Sequence, residues 1–67
     1  MTEALIAAAE LFAQARDDYR QALVGYNLAY TSEQQDIFWA EMQAARARMA
    51  LALKDAKLEQ MAGRRAA

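Results

Sequence analysis

The sequence predicts an all-α fold, an antiparallel two-helix hairpin that dimerises into a four-helix bundle. The main observation is a seven-residue repeat, in which bulky residues and alanines alternate along one helical face. The repeat comprises Leu5, Ala8, Phe12, Ala15, Tyr19, Ala22, Tyr26 and Ala29. A second apolar-periodic segment begins after the polar Thr31 and Ser32, and no proline interrupts either segment. Two long helices joined by a short turn are therefore expected.

One helical-hairpin domain over residues 1–67 is expected, because the chain contains no linker and no low-complexity segment. The predicted order is helix 1 at about 3–30, a turn at 31–32, helix 2 at about 33–62 and a mobile tail at 63–67. Thr2 can cap the start of helix 1, and Gly63 can end helix 2 as its C′ residue.

Two overlapping capping boxes mark the start of helix 2. Ser32 is followed three residues later by Gln35, the spacing of a hydroxyl cap and its reciprocal glutamine. Thr31 with Gln34 offers the same pattern one residue earlier. The boundary between turn and helix is therefore defined to within one residue.

Side-chain size predicts how the two helices pair. Folding the chain at the turn places large residues of one helix opposite alanines of the other, which allows close packing. The expected pairs are Tyr19 with Ala45, Phe12 with Ala52, Ala22 with Met42 and Ala15 with Met49. The same register places Asp18 opposite Arg46 as a surface ion pair. Gly25 is expected to permit close contact between the helices, with a hinge for partner binding as the alternative.

A two-helix hairpin of 67 residues buries too little apolar surface to be stable alone. Small domains usually add disulfides, a metal ion or a partner, and this chain has no cysteine and no histidine. Association into a homodimer is the remaining route, because helix 2 carries a second apolar stripe beside its seam. The predicted dimer interface comprises Leu23, Ile37, Ala44, Ala47, Leu51 and Leu58.

The residue types argue against catalysis. The chain lacks histidine, cysteine and a glycine-rich phosphate loop, and its single serine, Ser32, is explained as a helix cap. Acidic pairs such as Asp17 and Asp18 lack the Glu-x-x-His spacing of metal sites in helical bundles. We therefore predict a protein that is not an enzyme and has no cofactor and no metal ion.

Charge and hydropathy argue against nucleic-acid binding and against a membrane span. The net charge is −1, with −5 in residues 1–45 and +4 in residues 46–67, and these segments lie side by side in the hairpin. Nucleic acid is therefore not the expected partner. An RNA-binding hairpin dimer of the plasmid copy-control type and a phage sponge for small nucleotides are the alternatives.

No apolar run is long enough to span a membrane and no signal-peptide layout is present, so a cytoplasmic location is expected.

The predicted partner-binding surface lies near the turn and comprises Tyr30, Trp39, Gln43 and Arg46. Ile37, Phe38 and Trp39 are consecutive, and at about 100° per residue they cannot all face one neighbour. With Phe38 on the seam and Ile37 on the second stripe, Trp39 falls on a largely polar row. A tryptophan beside an arginine is typical of an interface hot spot. A plug at the end of the bundle is the alternative for this side chain.

The capped turn Tyr30-Thr31-Ser32-Glu33, the segment Ile37-Phe38-Trp39-Ala40-Glu41-Met42 and the alanine-rich helices on either side form a pattern over the whole chain. In this pattern the chain resembles the small anti-quorum-sensing proteins of Pseudomonas phages. The resemblance implies a phage protein that dimerises, binds the DNA-binding domain of a LuxR-type quorum-sensing activator and blocks its action. It also implies binding to an ATPase of the type IV pilus. No individual binding residue is transferred by it.

Overall fold

The computed structural model describes the backbone of residues 3–66 and the side chains of residues 3–63. It contains two helices, α1 (Glu3–Leu28) and α2 (Ser32–Ala66), which pack against each other as a hairpin. The all-α hairpin predicted from the sequence is confirmed. Across residues 3–66, neither helix is long and apolar enough to cross a membrane. The predicted cap at Thr2 and the last residue of the predicted tail, Ala67, lie outside the described residues.

The helix ends differ from the predicted boundaries. α1 ends at Leu28 because the amide of Ala29 donates to the carbonyl of Tyr26 at 3.3 Å, which tightens the last turn. α2 continues to Ala66, so the predicted end of this helix at residue 62 is wrong. Gly63 does not adopt the left-handed conformation of a C′ residue, and the arginines and alanine that follow it are strong helix formers.

Thr31 is the residue that caps α2. Its hydroxyl accepts a hydrogen bond from the amide of Gln34 at 3.1 Å, and its carbonyl accepts the first helical bond from the amide of Gln35 at 3.0 Å. The Gln34 side chain in turn accepts from the amide of Tyr30 at 3.1 Å. Of the two capping boxes in the sequence, the earlier one forms, with its glutamine reaching one residue further back than usual.

Thr31→Ala should lower the free energy of unfolding by about 1 kcal/mol, because the amide of Gln34 loses its cap. Ser32→Ala is the matched control, and loss of that exposed hydroxyl should change stability by less than about 0.5 kcal/mol. Urea titrations followed by circular dichroism measure both variants. Equal losses would contradict the assignment of Thr31 as the cap.

The contact between the helices follows the predicted seam. Among the residues with described side chains, the buried ones all lie on it: Ala8, Ala15, Ala22, Met42, Ala45 and Ala52. The bulky seam residues Phe12, Tyr19 and Met49 are half-buried beside them. Because alanines dominate, the helices approach closely but bury few large side chains. The hairpin alone therefore has a thin core.

The predicted ion pair between Asp18 and Arg46 is wrong. The Asp18 carboxylate lies 3.4 Å from the guanidinium of Arg48 instead. Residues two apart on a helix project about 160° apart. Arg48 projects to the same side of the seam as Asp18, whereas Arg46 projects to the opposite side. Both partners are more than half exposed, so the pair contributes at most about 1 kcal/mol to stability.

Gly25 lies directly against the ring of Phe38. A Cβ atom at position 25 would lie 2.6 Å from the ring atoms Cδ1 and Cζ of Phe38, closer than non-bonded carbon atoms tolerate. The φ angle of Gly25 is not in the left-handed region. Glycine is therefore needed here for space, which supports the close-contact interpretation of this residue.

Gly25→Ala should lower the free energy of unfolding by about 1–2 kcal/mol, because displacing the Phe38 ring costs more than the helix propensity of alanine gains. Gly63→Ala is the control, since a Cβ atom there meets nothing within 4 Å. It should raise stability by up to ~1 kcal/mol. Thermal unfolding of both variants measures whether the free energy of unfolding changes in opposite directions. If both substitutions stabilise the protein, the close contact at Gly25 is contradicted.

Candidate protein-interaction surfaces

The hairpin is elongated, so most of its residues lie at a surface. It measures 54 × 14 × 11 Å, with a Cα radius of gyration of 15.6 Å, against about 11 Å for a compact chain of this length. Its accessible surface is 5401 Å², whereas a compact monomer of 7.5 kDa exposes roughly 4,250 Å². The two long sides of the hairpin carry most of the exposed large apolar side chains, and the two sides differ in chemistry.

One long side, here called the groove face, is a shallow apolar channel between the helices. The seam alanines Ala8, Ala15 and Ala52 border its floor. Its large apolar side chains are each more than half exposed: Leu11, Leu28, Ile37, Leu51 and Leu58. Between them lie Ala4, Ala7, Gln14, Asp18, Gln21, Glu41, Ala44, Arg48, Asp55 and Glu59. The channel stays open because the small methyl groups at its floor do not fill it.

The groove face is weakly acidic. Asp18 on α1 pairs with Arg48 on α2 near the middle of the hairpin. Glu41 lies toward the turn and Asp55 toward the open end, seven residues on either side of Arg48. Glu59 also lines the open end, so four carboxylates and one guanidinium give this face a net charge of −3.

Most of the predicted dimer interface lies on the groove face. Ile37, Ala44, Leu51 and Leu58 line it together, and Ala47 is exposed at its outer edge. Leu23 does not belong to this set. It follows Asp18 by five residues, a rotation of about 140° that carries it to the other side of the seam. Leu23 therefore does not share a face with the other residues predicted for the dimer interface.

The opposite long side, here called the tryptophan face, carries Trp39 beside Tyr26. The two ring centroids lie 6.1 Å apart, with the rings tilted by 50°, a favourable aromatic contact. Trp39 nevertheless remains 53% exposed. The indole rests on the hairpin with part of its surface open. The other residues of this face include Arg16, Arg20, Leu23, Asp36, Gln43, Arg46, Ala50, Leu53 and Lys57.

The structure brings together three of the four predicted partner-binding residues. Trp39, Gln43 and Arg46 follow one row of α2 within two helical turns. Tyr30 lies apart from them in the turn, where it is 97% exposed and borders the end of the groove face. The candidate site on the tryptophan face therefore consists of Trp39, Gln43 and Arg46, with Tyr26 as the aromatic neighbour in place of Tyr30.

The tryptophan face is cationic. Its charged residues are Arg16, Arg20, Arg46, Lys57 and Asp36, a net charge of +3. Arg46 lies about 10 Å along the helix axis from Trp39. An exposed indole and nearby guanidinium groups present flat apolar area and charged donors to one partner. The acidic groove face and this cationic face suit different partners.

Sequence reasoning missed residues that lie beside the seam of α1. Leu11 and Leu28 were not part of the predicted dimer interface, yet both line the groove face. A signal for Leu11 was present, because it immediately precedes the seam residue Phe12 and so falls on the same flank as Asp18, which precedes Tyr19. The contact between Tyr26 and Trp39 was not predicted. The repeat places Tyr26 on the seam, and in the structure its ring contacts Trp39 on the tryptophan face.

Comparison with known proteins identifies no relative. No protein-family model matches the chain, and neither a curated protein nor a solved structure shows significant similarity to it. In the part of the chain that the structure describes, no three His, Cys, Asp or Glu side chains cluster so that they could hold a metal ion. The chemistry of the two faces and the resemblance seen in the sequence therefore support the proposed function.

Proposed function

We propose that this chain is a homodimeric helical interaction module, a phage-encoded inhibitor that binds and occupies a protein in the cytoplasm of a bacterial host. The observation that supports this proposal is the division of the hairpin into two chemically different faces. The groove face is apolar and weakly acidic, and the tryptophan face is aromatic and cationic. The first suits a second copy of the chain, and the second suits a different partner.

The groove face fits association with a second copy. Its large apolar side chains would be hydrated in a monomer, and contiguous apolar patches usually mark an interface. The hairpin exposes about 1,150 Å² more than a compact monomer of its mass, and a stable interface buries about 800 Å² on each partner. Covering one long face would therefore bring the exposed area close to the normal range. The product is an antiparallel four-helix bundle.

The tryptophan face fits capture of a host protein. Tryptophan and arginine are among the residue types that most often carry binding energy at interfaces. Trp39 rests against Tyr26, so its side chain has less freedom to lose when it binds. Gln43 and Arg46 lie on the same row and supply hydrogen-bond donors for the polar rim of the contact.

The charge of the tryptophan face favours an acidic surface on the partner. A LuxR-type quorum-sensing activator is the partner class that the resemblance implies, and charge repulsion would direct binding away from its basic DNA-contacting surface. A bound dimer as long as the hairpin, 54 Å, would then block the activator by obstructing its assembly or its approach to DNA. An ATPase of the type IV pilus is the second candidate from the same resemblance.

RNA or small nucleotides are the alternative ligands, because a cationic face with an exposed indole also suits phosphates and bases. The test is absorbance of the purified chain at 260 nm, followed by separate titrations with the DNA-binding domain of a LuxR-type activator and with single-stranded RNA. We expect saturable binding of the activator domain and no retained nucleotide. Retained nucleotide, or RNA binding that weakens steeply with salt, would favour the alternative. If the activator domain does not bind, affinity capture with Trp39→Ala as the subtraction control identifies the partner.

A further inference from the structure

We propose that the second copy packs on the groove face with both turns at the same end of the dimer. The two-fold axis then runs parallel to the helices, and α1 of each copy lies on α2 of the other. This inference rests on the dimerisation proposed above and specifies its arrangement. The ion pair between Asp18 and Arg48 carries it.

Asp18 and Arg48 lie level with each other across the groove face. A two-fold axis parallel to the helices keeps every residue at its own level and exchanges the two helices. Arg48 therefore faces the partner's Asp18, and Asp18 faces the partner's Arg48. The four side chains form a ring of alternating charges, in which each charge has one counterpart in its own chain and one across the interface.

The other acidic residues of the groove face are also accommodated. Glu41, Asp55 and Glu59 all lie on α2, so each faces α1 of the second copy. The described part of α1 contributes one carboxylate to this face, Asp18, and that carboxylate lies level with Arg48. No carboxylate is therefore placed opposite another carboxylate.

The apolar ends of the groove face match as well. Ile37 and Leu28 line one cleft near the turn, so Ile37 faces the partner's Leu28. Leu58 and Ala7 line one cleft near the open end, so Leu58 faces the partner's Ala7. The channel is thus closed by apolar contacts at both ends, with the charged ring between them.

The opposite-end arrangement places α2 on α2 and α1 on α1 in reverse order. If its axis passes through the ion pair, Arg48 meets the partner's Arg48 and Asp18 meets the partner's Asp18. Glu41 then also meets the partner's Asp55, and each of these like-charge contacts is unfavourable. Sliding the axis by a helical turn separates the like charges but leaves one end of the groove face uncovered. The same-end arrangement combines full coverage with paired charges.

Charge reversal with mixing tests the ring. Asp18→Arg leaves two arginines at this level and Arg48→Asp leaves two aspartates, so each variant alone sets like charges across the interface. We expect each to raise the dimer dissociation constant at least about tenfold in sedimentation equilibrium. An equimolar mixture should recover association to within about threefold of the unmodified chain, as a heterodimer detected by native mass spectrometry. Neither variant keeps its internal ion pair, so recovery on mixing must come from contacts across the interface.

Asp17→Arg and Lys54→Asp are the matched controls, because they make the same charge changes at exposed positions outside both faces. Each control should dimerise like the unmodified chain. A mixture of the two controls should contain homodimers and heterodimers in statistical proportions. A monomeric unmodified chain would overturn the proposed dimerisation itself. A dimeric unmodified chain whose Asp18→Arg and Arg48→Asp variants do not recover on mixing would overturn the same-end arrangement and leave dimerisation intact.

A spin label at Glu33→Cys measures the arrangement without altering the ring, because the chain has no cysteine of its own and Glu33 is exposed beside the turn. The same-end arrangement gives a label-to-label distance of roughly 20–30 Å, about two helix diameters plus the label arms. The opposite-end arrangement with its axis through the ion pair gives about 45 Å, because Glu33 lies about 22 Å from Arg48 along α2. The longer distance would overturn the inference even if the charge variants do not fold.

Discussion

Leu51→Glu will convert the proposed dimer into monomers at micromolar concentration. Leu51 is 61% exposed in the hairpin and lines the groove face together with Asp55. Burial of its exposed surface against a second copy contributes roughly 1–2 kcal/mol, and a two-fold interface contains this contact twice. A glutamate loses both contributions and adds a like charge four residues from Asp55. We expect a loss of at least about 3 kcal/mol, or more than about a hundredfold in the dissociation constant.

Leu53→Glu is the matched control for this substitution. Leu53 is 51% exposed on the same helix but projects to the tryptophan face, so its replacement reports the effect of the new residue on α2 itself. We expect its dimer to be unchanged. Sedimentation equilibrium and the concentration dependence of the melting temperature measure both variants. Equal dissociation by the two variants would show that the groove face is not the interface.

Trp39→Ala will weaken binding to the proposed host partner by at least about 2 kcal/mol, roughly thirtyfold in the dissociation constant. The reason is that the exposed part of the indole is the largest flat apolar group on the tryptophan face. The effect on the free energy of unfolding should be smaller, about 0.5–1.5 kcal/mol, because 53% of the side chain is already exposed and the contact with Tyr26 is lost. Calorimetric titration with the activator domain, together with thermal unfolding, separates the two effects.

Two further variants show what the tryptophan contributes. Trp39→Phe keeps a ring against Tyr26 and should retain part of the affinity. Val24→Ala removes a comparably exposed apolar side chain from the outer surface of α1 and should leave the affinity unchanged. If Trp39→Ala unfolds the hairpin while binding per folded molecule survives, Trp39 is a core residue. The partner would then be sought along the row of Arg16 and Arg20.

The seam between the helices could be predicted because it depends on local periodicity. Bulky residues or alanines repeated every three to four positions all lie on one face of the helix. That face packs against the neighbouring helix at any crossing angle. The buried residues Ala15 and Ala45 were both identified in this way. The capping residue was narrowed to Thr31 or Ser32, and the explanation of Ser32 as the cap is wrong because Thr31 takes that role. The choice depends on how the chain leaves α1 at Leu28.

The residues beside the seam could be predicted only in part. The choice between Arg46 and Arg48 as the partner of Asp18, and the side on which Leu23 lies, depend on which flanks of the two helices meet. A pairing register read from side-chain size is accurate to about one helical turn, and two residues within a turn project to opposite sides. The identity of the partner could not be predicted from the sequence, because it depends on complementarity with a second molecule.

Sedimentation equilibrium of the unmodified chain at micromolar concentration tests most directly the central claim, that a second copy covers the groove face. The expected result is a single species of twice the 7.5 kDa of one chain, with helical content that falls as dilution separates the copies. A mass of 7.5 kDa with full helicity by circular dichroism would contradict the claim, because the hairpin would then be stable with its groove face in water.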